Sequence, residues 1–164
     1  MKLLTLIRHA KSSWKDPGTA DFDRPLNKRG KRDAPEMGDR LQKQSFKPDL
    51  ILSSSARRAQ DTIDLIAKEI GFPGEQIIYQ ERLYLAGAFD LVALLQEVED
   101  RHRHVVLCGH NPGLTEVIPL LTHANLETVP TCGIVQIELN VDHWNEVAAS
   151  RGELLLFDYP KNEE

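Results

Sequence analysis

Long hydrophobic runs and cysteine are both scarce in this chain of 164 residues. No apolar stretch approaches the ~20 residues that a membrane-spanning helix requires, so the sequence predicts no membrane segment. The two cysteines, Cys108 and Cys132, lie in or beside apolar runs and do not indicate the disulfide framework of a small secreted protein. Met1 and Lys2 lead directly into a predicted strand without a cleavage site. We therefore expect a cytoplasmic protein.

The sequence also lacks an excess of positive charge. Its formal net charge is −5, whereas a protein that binds nucleic acid is favoured by a basic surface. There is no G-x-G-x-x-G segment and no glycine-rich loop ending in a Walker lysine. These absences argue against a nucleic-acid partner and remove most of the support for a nucleotide-binding fold.

Composition and hydrophobic pattern predict a single α/β domain over residues 1–160, followed by a frayed tail at 161–164. Strand-like and helical stretches alternate, and this favours a mainly parallel sheet with helices on both faces. The last two strands are close in sequence and predict a late antiparallel addition. The predicted strands cover residues 2–7, 49–52, 76–79, 104–108, 134–139 and 153–157.

Apolar residues at three-four spacing predict helices around residues 34–41, 56–70 and 91–98. Gly71 has the position of a glycine that ends the second of these helices. Pro119 falls inside a fourth helical pattern, at residues 114–121, where an interior proline costs about 3 kcal/mol. That helix is therefore either short, ending at the proline, or kinked.

Three predicted strand ends carry residues suited to binding a phosphoryl group. Arg8 and His9 follow the first apolar run, in LIRHAKSSW (residues 6–14). His110 lies in VVLCGHNPG (residues 105–113), and two further arginines lie in LILSSSARRAQDT (residues 50–62). Strand carboxyl ends are where open α/β sheets bind ligands. A guanidinium donates paired hydrogen bonds to phosphoryl oxygens, and an imidazole is a nucleophile at neutral pH.

Each of these residues has a plainer interpretation. His9 alone could simply end a strand, and Arg57 could be a surface arginine. His9 and His110 could also hold zinc, although no carboxylate or cysteine motif completes such a site. The joint occurrence of the motifs favours the phosphoryl pocket over these alternatives.

The motifs, taken in order, resemble those of the histidine phosphatase superfamily, the phosphoglycerate-mutase-like enzymes, and within it the SixA-type phosphohistidine phosphatases. The opening Arg-His motif stands as Arg8-His9, and a Pro-Leu pair followed by a helix-starting glycine stands as Pro25-Leu26 and Gly30. A Ser-x-x-x-Arg-Ala-x-x-Thr motif and a late Gly-His motif complete the set. They match Ser54, Arg58, Ala59, Thr62, Gly109 and His110.

The resemblance implies a phosphoglycerate mutase-like fold and assigns four site residues. His9 is the nucleophile, Arg8 and Arg58 bind the phosphoryl oxygens, and His110 is a second donor to the same group. Arg57 stands at a position that is usually apolar in the family. The resemblance also implies catalysis without a metal ion or any other cofactor.

The sequence offers two candidates for the proton donor. Many members of the superfamily place an acid after the third strand, where this chain reads QERLYLAGAFD (residues 80–90). Glu81 and Asp90 are the two candidates. The histidine of phosphohistidine departs through nitrogen, and its departure depends less on an enzymic acid than that of an alkyl alcohol does. Because no acid falls clearly on the family position, the sequence favours a phosphohistidine substrate.

We therefore expect a phosphatase that forms a phosphohistidine intermediate and acts on a phosphorylated protein, for example a histidine-containing phosphotransfer domain. A phosphatase for small sugar or nucleotide phosphates is the alternative enzyme. A phosphate-binding or scaffold protein without turnover is the alternative outside enzymes. The loop at residues 11–23 directly follows His9, and loops in that position usually shape the site.

Overall fold

The fold was analysed in a computed structural model that describes residues 1–148 and 151–161. The strands within these ranges form one sheet of six. They are β1 (Lys2–Arg8), β2 (Leu50–Ser54), β3 (Ile78–Gln80), β4 (His104–Gly109), β5 (Ile134–Leu139) and β6 (Gly152–Asp158).

The sheet is mainly parallel, and its strands are ordered β3-β2-β4-β1-β5-β6. The pairs β2/β3, β2/β4 and β1/β4 are parallel, whereas β5 runs antiparallel to both β1 and β6. Strands β1, β2 and β4 are therefore adjacent and end at the same edge of the sheet. Arg8 at the end of β1 pairs with Gly109 at the end of β4.

In the described part of the chain, four α-helices connect and flank the strands. They are α1 (Lys28–Lys43), α2 (Arg57–Ile70), α3 (Ala88–Gln96) and α4 (Gly113–Leu121). The amide oxygen of Asn27 accepts a hydrogen bond from the Gly30 backbone N–H at 2.9 Å and so caps the start of α1. Gly71 ends α2 with φ of 75°, a left-handed conformation that glycine adopts without strain.

The helices pack on the two faces of the sheet, because successive strand residues point to opposite sides. On β4, Val106 and Cys108 pack with α1 and α2, whereas Val105 and Leu107 pack with α3 and α4. All four strand residues are at most 1% exposed. The predicted three-layer α/β fold with a late antiparallel addition is therefore confirmed.

The third strand differs from the prediction. A 3-10 turn at Gly74–Gln76 occupies the beginning of the predicted segment, and β3 starts only at Ile78. Val98 lies beyond the end of α3, although its side chain packs against the core. The helix α4 continues two residues past Pro119 and is nine residues long.

Part of the predicted tail, residues 162–164, lies outside the described residues. None of the described helices is both long and apolar enough to cross a membrane.

Gly30 provides a test of how tightly α1 packs behind the site. A Cβ atom added at Gly30 would lie 2.2 Å from the backbone oxygen of Lys11, two residues after His9. We predict that Gly30→Ala lowers the free energy of unfolding by about 1–3 kcal/mol, the usual cost of overpacking. Chemical denaturation followed by circular dichroism measures this change.

Gly74→Ala is the matched control, because a Cβ at Gly74 would meet nothing within 4 Å. Its effect should stay within about 0.5 kcal/mol, as is usual for open surface positions. Equal stability of the two variants would contradict the close packing of α1 against the loop after β1.

Candidate active site

The ends of β1, β2 and β4 bring the predicted site residues together. The backbone N–H of His9 donates to the Gly109 carbonyl at 3.1 Å, which joins the two strand ends. Ser54 is the last residue of β2, and Arg58 is the second residue of the following helix, α2. The sheet topology thus gathers Arg8, His9, Arg58 and His110 at one edge.

His9 is held with one ring nitrogen fixed as a donor. Its Nδ1 lies 2.8 Å from the carbonyl oxygen of Ala10. A carbonyl can only accept a hydrogen bond, so Nδ1 carries the proton and Nε2 has the free lone pair. Burial lowers the pKa of His9 from 6.5 to about 3, and the neighbouring charges of Arg58 and Arg8 act in the same direction. The imidazole is therefore neutral at physiological pH.

The backbone beside His9 is attached to α2. The N–H of Ala10 donates to the Thr62 hydroxyl oxygen at 2.8 Å, and that hydroxyl donates to the Arg58 carbonyl at 2.7 Å. Ala10 and Thr62 are both fully buried. One turn of α2 therefore positions both the residue that orients His9 and the backbone of Arg58.

Arg8 carries a positive charge that no acidic side chain neutralises within residues 1–148 and 151–161. One guanidinium nitrogen donates to the Val129 carbonyl at 3.1 Å, and Nε is buried without a hydrogen-bond partner in that part of the chain. Burial lowers the pKa of Arg8, and repulsion from Arg58 acts in the same direction. An anion bound beside Arg8 would relieve both effects.

Arg58 is 7% exposed and is held by a residue from the loop after β1. It donates to the backbone oxygen of Asp21 at 2.7 Å and to the Asp21 carboxylate at 3.1 Å. Arg57 instead points outward, with a side chain that is 60% exposed and an ion pair to Asp61 on its own helix. The motif register thus predicts correctly which of the two arginines is buried.

His110 lies beside His9, with the two ring centroids 5.1 Å apart. Its Nε2 is 2.8 Å from the Ser54 hydroxyl, and its Nδ1 is buried without a hydrogen-bond partner among the described residues. Burial lowers the pKa of His110 to about 4, and the charge of Arg58 adds to this effect. His110 is therefore also neutral at physiological pH.

Arg8, His9 and Arg58 border a small cavity of about 240 Å³. Its size suits a phosphoryl group with part of its leaving group rather than a large cofactor. His110 contacts the ring of His9 but does not line the cavity itself. The lining residues are Arg8, His9, Lys11, Ser12, Trp14, Arg24, Arg58, Asn111 and Thr131.

Neither candidate proton donor lines this cavity. Glu81 is exposed at the start of a 3-10 turn that follows β3. The Asp90 carboxylate accepts a hydrogen bond from the Gly87 backbone N–H at 2.9 Å and so stabilises the start of α3. The identity of the proton donor stays a prediction, without support from this arrangement.

Asp21, Arg24 and Tyr84 form a network beside the site and were not assigned a role from the sequence. Asp21 accepts hydrogen bonds from Arg58, Arg24 and the Tyr84 hydroxyl. The Tyr84 hydroxyl and the two guanidiniums hold the pKa of Asp21 well below its usual range, although burial opposes them. The Tyr84 ring packs edge-on against His110 at 5.5 Å. No local pattern could reveal this network, because Asp21 and Tyr84 are 63 positions apart.

His9 and His110, which were considered as zinc ligands, have no third ligand beside them among the described residues. Among the described residues, no three His, Cys, Asp or Glu side chains are grouped so that they could hold a metal ion. Catalysis without a metal nevertheless stays a prediction.

Sequence and structure comparisons identify the family. The profile of the histidine phosphatase superfamily (branch 1) matches residues 4–84. A solved structure from Agrobacterium tumefaciens, described as a candidate SixA phosphohistidine phosphatase, is 30% identical in sequence. The alignment covers 97% of this chain and 98% of that one, with a TM-score of 0.81. The chain therefore belongs to the histidine phosphatase superfamily; it is SixA-like and a phosphatase.

Two further proteins extend the comparison. The structure of the protein histidine phosphatase SixA in complex with tungstate has a TM-score of 0.85 over 99% of both chains, at 18% identity, and so shares the fold. An uncharacterised chloroplastic protein of Arabidopsis thaliana is 31% identical over 157 residues, which cover 91% of this chain and 72% of that protein.

The protonation of the histidines can be measured directly. In the free enzyme, we predict that the ring signals of His9 and His110 stay constant from pH 8 to 5, because burial keeps both rings neutral. His143 should titrate above 6.5, because its hydrogen bond to Asp100 raises its pKa. Carbon-13 NMR of labelled histidines, assigned with single variants, provides the measurement.

Inorganic phosphate should raise the pKa of His9 and His110, because an adjacent anion favours the charged imidazolium. His143 serves as the control and should not respond. A His9 signal that titrates near 6.5 without phosphate would contradict the proposed state of the site.

Proposed function

We propose that this chain dephosphorylates phosphohistidine in proteins through a phosphohistidine intermediate on His9, without a metal ion. The observation that carries the proposal is the neutral His9 imidazole, with Nδ1 tied to Ala10 and Nε2 free, beside Arg8 and Arg58. A fixed lone pair next to two positive groups fits attack on a phosphoryl dianion.

The reaction takes place in two displacements. In the first, Nε2 of His9 attacks phosphorus, a nitrogen–phosphorus bond forms, and the bond to the leaving group breaks; a substrate phosphohistidine that is protonated on its other ring nitrogen leaves as a neutral imidazole. In the second, water attacks the same phosphorus, the bond to Nε2 breaks, and inorganic phosphate leaves with both protons of the water, while Nδ1 of His9 keeps its own proton. His9 then has its original protonation state again.

Arg8 and Arg58 bind the phosphoryl oxygens throughout. Arg58 directs two of its donors to Asp21 and retains others for the substrate, since a guanidinium has five N–H groups. The buried Nε of Arg8 has no other partner among the described residues. These fixed donors supply positive charge without reorganisation during the reaction.

His110 contributes a further donor through Nδ1. The Ser54 hydroxyl accepts a hydrogen bond from the Ala56 N–H at 3.1 Å and can donate its own proton to Nε2 of His110. That arrangement places the ring proton on Nδ1, where it can bond to the phosphoryl group. In the free enzyme this nitrogen has no partner in the described part of the chain.

The choice of phosphohistidine as substrate rests on the acids near the cavity. Asp21 is the acid closest to Arg58, and its lowered pKa keeps it ionised, so it does not donate a proton. Glu81 and Asp90 do not line the cavity. A nitrogen leaving group, which needs little enzymic acid, fits this setting better than a sugar alkoxide does.

The intermediate tests the proposal first. Rapid quench with a substrate that carries a radioactive phosphoryl group should trap a labelled enzyme. The label should be lost in acid and kept in base, because the adduct joins phosphorus to a histidine nitrogen. His9→Ala should abolish both the adduct and turnover. An adduct on another residue, or full activity of this variant, would exclude His9 as the nucleophile.

The two neighbouring arginines form a matched pair. Arg58→Ala should lower kcat/KM about 100- to 1000-fold, the usual effect of removing a fixed donor to transition-state charge. Arg57→Ala should change kcat/KM little, because its exposed side chain bonds to Asp61 on the surface. Small and equal losses in steady-state assays would show that Arg58 does not bind the phosphoryl group.

Substrate preference should follow the quality of the leaving group. A phosphohistidine protein and aryl phosphates should react much faster than sugar phosphates, and Glu81→Gln and Asp90→Asn should matter little for the fast substrates. Circular dichroism checks the fold of Asp90→Asn, since Asp90 also stabilises α3.

A loss of about 100- to 10,000-fold in either variant would instead identify a general acid. Sugar phosphates as the best substrates would favour a small-molecule phosphatase. Tight phosphate binding without turnover of any substrate would favour a phosphate-binding or scaffold protein.

A further inference from the structure

Trp14 is an exposed aromatic side chain at the cavity that contains His9. It is 74% exposed, yet it lines this cavity together with Arg8 and Arg58. It follows His9 by only five positions, in the loop between β1 and α1. The proposed reaction assigns no role to this indole.

One face of the indole is held by a buried arginine. The guanidinium carbon of Arg24 lies 3.3 Å from the centre of the Trp14 ring, and Arg24 is 7% exposed. A guanidinium stacks well on an aromatic face. The indole is therefore already oriented before substrate binds, although most of it is in contact with solvent.

Arg24 itself is fixed by the surrounding loop. Its Nε donates to the Ser13 carbonyl at 3.0 Å, and its two terminal nitrogens donate to the Asp21 carboxylate and the Ser12 hydroxyl. The backbone of Ser13 also donates to the Pro25 carbonyl at 2.8 Å. Because all three nitrogens are bonded, Arg24 is held in place as a rigid support for Trp14.

A leaving group attached to a phosphoryl group in this cavity must point towards its open side. A planar imidazole there could stack on the exposed face of Trp14, and aromatic pairs of this kind are favourable beyond the area they bury. Ammonia, the leaving group of phosphoramidate, has no ring and gains nothing from the indole. Trp14 can thus distinguish imidazole from ammonia, although both leave by cleavage of a phosphorus–nitrogen bond.

We propose that Trp14, supported by Arg24, is a specificity-determining residue that stacks on the imidazole of the departing histidine. The proposal rests on the proposed phosphohistidine phosphatase function. It goes beyond that function because it names Trp14 as the residue that favours an aromatic leaving group over a small one.

The test compares two phosphorus–nitrogen substrates, N-phosphoimidazole and phosphoramidate. In Trp14→Leu, we expect kcat/KM to fall about tenfold for N-phosphoimidazole, the size of one good aromatic contact. For phosphoramidate the change should be much smaller. Trp14→Phe keeps a ring and should retain most of the activity on both substrates.

Phe89→Leu is the control, because Phe89 is 78% exposed but does not line the cavity. It should alter neither rate. Equal losses on both substrates in Trp14→Leu would overturn the proposal and give Trp14 only a structural role in the loop. Unchanged rates on both would overturn it as well.

The outcome for the wild-type enzyme separates this inference from the proposed function. If the wild type forms the His9 adduct with both substrates and Trp14→Leu does not discriminate, only the role of Trp14 fails. If the wild type forms no adduct with either substrate, the proposed function itself fails.

Discussion

The hydrogen bond from Nδ1 of His9 to the Ala10 carbonyl is the interaction on which the site depends. It fixes both the tautomer and the orientation of the imidazole, and so leaves Nε2 with the free lone pair. Ala10 is in turn held by Thr62, which bonds to the Arg58 carbonyl on the same helix. The proposed nucleophile and the arginine proposed to bind the phosphoryl oxygens are therefore fixed to one structural element.

The charges around His9 leave an excess of positive charge at the cavity. Arg8 and Arg58 face the cavity, and Asp21 is the acid that pairs with Arg58. The positive charge that remains attracts an anion and disfavours protonation of the imidazole. The same residues thus favour both a neutral His9 imidazole and the binding of an anion.

Much of the fold and the centre of the site could be predicted from the sequence. The apolar runs of β1 and β4 end in Arg8-His9 and Gly109-His110. Each of these patterns lies within a few consecutive residues and can be recognised without knowledge of the fold. The spacing of Ser54 and Thr62 distinguishes buried Arg58 from exposed Arg57. The positions of these residues could be predicted because each depends on a few neighbouring residues and on the alternating pattern of the strands; their roles stay predictions.

The remaining features depend on contacts between distant segments. Asp21 reaches Arg58 and Tyr84 only because the loop after β1 folds back over the start of α2. The start of β3 was predicted too early, since the turn that follows Pro73 continues through Gln76. Asp90 lies close in sequence to the expected acid position, but its carboxylate caps α3.

The central claim is that His9 attacks through Nε2, and the position of the phosphoryl group on the trapped enzyme tests it most directly. The intermediate is stable in base, so a base-quenched sample labelled with nitrogen-15 can be examined by phosphorus–nitrogen correlation NMR. The account predicts phosphorus bonded to Nε2 of His9. Phosphorus on Nδ1, the nitrogen that bonds to Ala10, would contradict it.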